Sequence, residues 1–134
     1  DLLLETIDKL IEGQIVPIKQ DVSKVTFAYN VTKEEERLDF TKTAQEVYNH
    51  IRAYYPSPIA YTIFNGEILK IYESRVLDDT HNKEIGTFFL KDKTRICVAC
   101  NNHTVLELLV VQPSGKKVMK AKDFANGGFR KYLK

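Results

Sequence analysis

The sequence predicts a mainly β fold with helices: a small OB-like Greek-key β-barrel preceded by a helix and an extended linker. Three observations predict it. Five β-patterned runs, "AYTIF", "EILKIYESRVL", "GTFFL", "TRICVAC" and "HTVLELLVV", follow one another between residues 60 and 111. Turn formers separate them: Asn65-Gly66 joins the first two, Asn101-Asn102 the last two, and Lys91-Asp92-Lys93 turns the third into the fourth. One capped amphipathic helix precedes the set. Five short antiparallel strands and a helix, closing within about 80 residues, suit an OB-type barrel, with a β-sandwich as the alternative.

Taken in order, "DLLLETIDKLIEG" opens the chain, with Leu3, Ile7, Leu10 and Ile11 at helical spacing and Gly13 placed to end the helix. Residues 14–30 contain Pro17, show no clear period and read as an extended linker. The helix either belongs to a domain that lies upstream or packs on the barrel. From Thr32 the pattern becomes regular. "RLDF" reads as a short strand, and "TAQEVYNHIRAYYP" as a helix with a Thr43/Glu46 capping box. Its apolar face is Ala44, Val47, Tyr48 and Ile51, and Pro56 stops it. "KAKDFAN" forms a last short helix, ended by Gly127 or Gly128.

Composition narrows the function. The chain has 134 residues, 43% of them hydrophobic and 28% charged, which suits one folded domain with a real core. No apolar run approaches the roughly 18 residues of a membrane span, and no signal-peptide pattern opens the chain. Starting at Asp1, it reads as a fragment or processed product. The net charge of +2 is unevenly spread. Residues 1–40 carry nine acids and five bases, residues 41–112 eight of each, and residues 113–134 seven bases against Asp123 alone. All the positive excess therefore lies in the last 22 residues, where Lys116, Lys117, Lys120 and Lys122 fall within seven positions. Charge concentrated in this way attracts polyanions.

Catalytic and metal chemistry find little support. Cys97 and Cys100 form a C-x-x-C, but on a strand residues three apart point to opposite faces. They read as two buried, reduced thiols, which fits a reducing, cytoplasmic setting. His50 is expected to face solvent. His81 sits in the polar loop "DDTHNKE" beside Asp78, Asp79 and Glu84, without the ligand order of a calcium loop. "EEE" (34–36) reads as a solvated approach to a strand. No nucleophile elbow, phosphate loop or dinucleotide fingerprint is present. The residues describe a binding module.

Three stretches carry a family resemblance. "QDVSKVTFAYNVTKEEERLDF" resembles the interdomain linker and first strand of bacterial methionyl-tRNA formyltransferases, Q-D-x-S-x-A-T-Y-A-P-K-[IL]-x-x-E…[IL]-[DN]-W. "IRAYYPSPIAYT" is similar to their I-R-[GA]-x-x-P-W-P-x-A-Y-T. "LLVVQPSGKKVMKAKDFANG" resembles L-x-x-x-Q-x-x-G-K-[KR]-x-M-x-x-x-[DE]-[FY]-x-x-G. Their order and spacing agree across the chain. Ser57 stands where the family has Trp between two prolines, Phe40 where it often has Trp, and Tyr29-Asn30 in place of Pro-Lys. The last change removes a cation from the linker.

The resemblance implies a division into residues 1–13, a helix closing an absent Rossmann-type catalytic domain; 14–30, the interdomain linker; and 31–134, the C-terminal OB-like domain. It implies a parent enzyme, a cytoplasmic monomer that transfers a formyl group from 10-formyltetrahydrofolate to initiator methionyl-tRNA. The chain itself is then inactive, without cofactor or metal, and holds the tRNA along a basic surface. Lys116, Lys117, Lys120, Lys122, Arg130 and Lys131 are the candidate tRNA-binding residues. Arg52 joins them, or else pairs with backbone carbonyls or an acid at its helix end. The rival reading is a scaffold domain of a relative acting on a small molecule, such as a sugar-nucleotide formyltransferase or a formyltetrahydrofolate hydrolase-type enzyme. A free-standing single-strand-binding OB domain is a third.

Overall fold

A computed structural model describes residues 1–127 and 129 of the chain. It divides into two compact units, Asp1–Asn30 and Val31–Lys134. In the first, α1 (Leu2–Ile11) ends on Gly13, whose φ of 71° suits a residue without Cβ. None of its residues is buried, and Leu3, Leu10 and Ile11 are 67%, 57% and 79% exposed. The remainder is extended except for a single 3-10 turn, Val22–Lys24, capped where the Asp21 carboxylate accepts from the Ser23 N–H at 3.0 Å.

The second unit is built on one antiparallel sheet. α2 (Ala44–Ala53) comes first, held by the predicted capping box, in which Thr43 Oγ1 accepts from Glu46 N–H and the Glu46 side chain reaches back to Thr43 N–H. There follow β1 (Tyr61–Phe64), β2 (Glu67–Thr80), β3 (Phe88–Lys91), β4 (Arg95–Ala99), β5 (Thr104–Pro113), β6 (Met119–Lys120) and α3 (Ala121–Asn126). The strand order is β1-β2-β5-β4-β3, and β6 pairs with β5. The two ends of this order meet through side chains: Phe64 of β1 lies 5.0 Å from Phe88 of β3, ring centre to ring centre. The sheet thus curls into the barrel-like form the sequence predicts. Register shifts in β2 near Glu73 and after Leu77 supply curvature.

The core fills the inside of the curl. Leu69, Ile71, Ile96, Val98, Leu106, Leu108 and Val111 come from the strands, Val47 and Ile51 from α2, and Ala121 and Phe124 from α3. Each large side chain at nearly zero exposure contributes about 2 kcal/mol by leaving water. The alternation along β4 and β5 that places Ile96, Val98 and Leu106 inside also sends Cys97 and Glu107 to the opposite face.

Several expectations need correction. "RLDF" is not a strand: Arg37 forms a single parallel bridge with Tyr61, because the Asp39 carboxylate then accepts from the Thr41 N–H and hydroxyl and turns the chain away. The last hairpin turns on Asn102-His103, with φ of 53° and 58°, and not on Asn101-Asn102. Asn101 N–H is instead bonded to the carbonyls of Phe40 and Lys42. β6 was not anticipated, since two residues carry no readable period. Glu36 is not solvated but 8% exposed, its carboxylate bound by Lys33 at 2.6 Å. The Asn65-Gly66 turn stands as predicted, with φ of 51° and 80°. Gly127 follows α3 as its C-cap; Gly128 lies outside the described residues.

Candidate nucleic-acid interface

The outer face of the sheet carries a carboxylate held between two arginines. Glu107 on β5 is 4% exposed and accepts four hydrogen bonds. Arg95 from β4 reaches its two oxygens at 2.7 and 2.8 Å, and Arg75 from β2 reaches Oε2 at 3.0 and 2.5 Å. The Arg95 hydrogen bonds, helped by Arg75, hold the Glu107 carboxyl below the usual carboxylate range against the opposing pull of burial. Arg95 is in turn pushed above its ordinary value by the same contact. The cluster ties three strands together, and Asp92, 3.3 Å from Arg95, brings it to two cations against two anions.

The lysines are held differently. Gly115, at φ 67°, allows the turn after β5, and Lys116 N–H bonds Pro113 O at 3.0 Å within it. A side-chain relay fixes the turn to the sheet: Tyr72 O–H donates to Gln112 Oε1 at 2.9 Å, and Gln112 Nε2–H donates to Lys116 O at 3.0 Å. β6 then pairs Lys120 with Val110, and the buried Ala121 sits between the exposed Lys120 and Lys122. No acid lies within 4.0 Å of Lys116, Lys117, Lys120 or Lys122 among the described residues. The backbone is held at Lys116 and Lys120, and the ammonium groups have no acidic partner among the described residues.

Only part of the predicted set is brought together. Lys120 and Lys122 line a pocket of about 370 Å³ with Thr94, Arg95, Glu73 and Glu107. Arg52 lines a second, of about 400 Å³, with Tyr48, Tyr55, Tyr72 and Ser74. Glu73 and Leu109 belong to both, so the two adjoin. Lys116 instead lines a third, largely apolar pocket with Phe64, Ile68, Met119 and Phe124. Arg130 and Lys131 lie outside the described residues. Arg52 pairs with no acid among the described residues; its guanidinium lies over the Tyr48 ring, 5.4 Å from the centroid. Sequence reasoning missed Arg95, Thr94 and Tyr72. The strand period of "RICVA" and "EILKIYE" sends Arg95 and Tyr72 outward, a signal available without the structure, whereas Thr94 lies in the turn before β4 and carries none.

The chemistry-bearing residues named from sequence are occupied structurally. His81 is buried and not part of a solvated loop: its Nε2 lies 2.7 Å from Cys100 O, and its Nδ1 accepts from Lys83 N–H at 3.1 Å. Both ring nitrogens are used, so no lone pair remains for a cation. His50 does not simply face solvent; it stacks on Tyr54 at 4.6 Å with Nε2 buried. Cys97 and Cys100 are free and buried, and burial pushes the thiols up to about 11 and about 12. They are inert thiols at neutral pH.

Comparison with known proteins fixes the relationship. The family described as "Formyl transferase, C-terminal domain" matches residues 30–128. The chain belongs to this family. As a formyltransferase C-terminal domain it is 42% identical, over 126 residues, to a methionyl-tRNA formyltransferase of Bacillus thuringiensis and to one of Bacillus cereus. The aligned region is 94% of this chain, and the chain spans 40% of the length of those relatives. Solved structures with the same fold include HypX of Aquifex aeolicus, at a TM-score of 0.67 and 12% identity over 96% of this chain and 23% of that one. A HypX structure in complex with tetrahydrofolic acid matches at 0.63 and 13% identity, covering 94% of this chain and 23% of that one. The C-terminal-domain match begins beside the boundary between the two compact units at Asn30.

Proposed function

We propose that this chain is the tRNA-holding C-terminal part of a cytoplasmic methionyl-tRNA formyltransferase. The whole enzyme would transfer the formyl group of 10-formyltetrahydrofolate to the amino group of initiator methionyl-tRNA. The observation that carries this reading is the 42% identity to methionyl-tRNA formyltransferases across 94% of the chain. In this reading α1 closes an upstream Rossmann-type catalytic domain, which accounts for its exposed apolar stripe. Residues 14–30 form the linker, and residues 31–134 the barrel-like domain that holds the tRNA. The chain contributes no formyl-transfer chemistry of its own.

The physical role assigned to the lysine turn is phosphate binding. A cation free of acidic partners keeps its charge available, and a fixed backbone limits the entropy lost when RNA docks. Lys120 and Lys122, which line a pocket adjoining that of Arg52, are placed to serve the same backbone. Arg130 and Lys131 belong to the proposed set by charge alone.

Binding of initiator tRNA to this chain, titrated with salt, tests the proposal. Each phosphate contact contributes roughly 0.9 to the slope of log affinity against log salt. A Lys116→Glu/Lys117→Glu variant is expected to bind about tenfold more weakly, with the slope reduced by about 2. No binding at low salt, or identical binding by the variant, refutes the lysine assignment. In a formyl-transfer assay the chain alone is expected to give no turnover.

A further inference from the structure

We propose that the cleft between α2 and strands β2 and β5 is a seat for one unstacked nucleotide. The inference rests on the tRNA-holding role for its biological source, but the site is argued from its own geometry.

The cleft has a volume of about 400 Å³. Buried Ile51 and Ser74 lie at its bottom; exposed Arg52, Tyr55 and Glu73 stand at its mouth. Ser74 is 8% exposed, and its Oγ is buried without a hydrogen-bond partner among the described residues. A hydroxyl in that state costs stability, and folded proteins seldom retain one unless it serves a ligand or a bound water. Among the described residues the other buried polar atom in this condition, His50 Nε2, does not line the cleft. The orphan hydroxyl therefore coincides with the lining of a pocket that already holds a cation, a carboxylate and aromatic rings.

Those groups match the parts of a nucleotide. Arg52 carries an exposed guanidinium with no acidic partner among the described residues, suited to a phosphate. Its seat over the Tyr48 ring limits the directions it takes. Tyr55, 57% exposed, offers a face on which a base can stack. Ser74 can donate to a ring nitrogen or carbonyl of the base, and Glu73 can accept from an exocyclic amino group or a 2′-hydroxyl. Tyr72, on the same lining, is hydrogen-bonded to the residue that anchors the Lys116 turn, so cleft and lysine turn share one support.

The test uses the whole chain and nucleoside 5′-monophosphates, followed by NMR of the tyrosine rings. Saturable shifts are expected at Tyr48 and Tyr55 but not at the buried Tyr61. Arg52→Gln is expected to weaken binding about tenfold. Ser74→Ala is expected to weaken it about threefold while raising the melting temperature of the free protein. Those opposite signs would not arise from a structural serine. Absence of saturable shifts, or binding unaffected by both substitutions, overturns the proposal. Initiator tRNA is titrated in parallel. Lysine-dependent tRNA binding that ignores Arg52→Gln, with no nucleotide binding, overturns the seat and leaves the tRNA role standing. Nucleotide binding with the expected signs, but no tRNA binding, supports the seat and removes the tRNA role.

Discussion

Two basic regions on the second unit make opposite use of their charge. Arg75 and Arg95 are committed to Glu107, a carboxylate 4% exposed, and Arg95 also to Asp92. Lys116, Lys117, Lys120 and Lys122 have no acid within 4.0 Å among the described residues. One arrangement stabilises the sheet and leaves little charge for a ligand. The other adds little to stability and leaves its charge free. Composition does not distinguish them; the placement of acids does.

The contrast can be broken most sharply at Glu107. Glu107→Ala leaves two arginines facing each other beside a cavity, and is expected to cost about 3 kcal/mol in urea denaturation. A loss below about 1 kcal/mol would mean the cluster is not structural. Within it, Arg95→Ala should cost about 2 kcal/mol and Arg75→Ala less than about 1 kcal/mol. Arg95 reaches both carboxylate oxygens and its side chain is 31% exposed, whereas that of Arg75 is 56% exposed. Equal costs would contradict the ordering.

Acid sharpens the same comparison. The folded carboxyl of Glu107 lies below its unfolded value, so its stabilisation is fully present above the unfolded carboxylate range, about 4.3. It is lost as pH falls through the folded value. The stability gap between the wild type and Glu107→Gln should therefore shrink below about pH 4, measured by thermal melts across pH. A gap constant down to pH 2 would argue against an ion pair. The smallest effect on stability is expected at the lysine turn, where Lys116→Glu/Lys117→Glu should stay within about 0.5 kcal/mol of wild type by the same denaturation. A larger loss would make the turn part of the fold.

Much of the architecture was legible because it rests on local chemistry. The Thr43/Glu46 box, the Asn65-Gly66 turn and the alternating runs of β1 to β5 each declare themselves over a few residues. What escaped reading depends on partners distant in sequence. "RLDF" has a strand's composition but is turned aside by Asp39, and Asn101 gives up its turn position to bond Phe40 and Lys42. His81 resembles a loop ligand until Cys100 O is found 2.7 Å from its ring. In the candidate site, the lysines were visible as a charge cluster. Their division between two pockets, and the meeting of Arg52 with Ser74, were not.

The sequence by itself determined the family, the secondary-structure inventory apart from "RLDF", the 3-10 turn and β6, and the concentration of positive charge after residue 113, because each follows from residue type and spacing along the chain. Tertiary structure alone decided which cations are neutralised and which polar atoms are left without partners. Both depend on groups tens of residues apart meeting within hydrogen-bonding distance, as Arg75 and Glu107 do across 32 positions. Pairing at that range is set by strand register and sheet curvature, which no local pattern encodes.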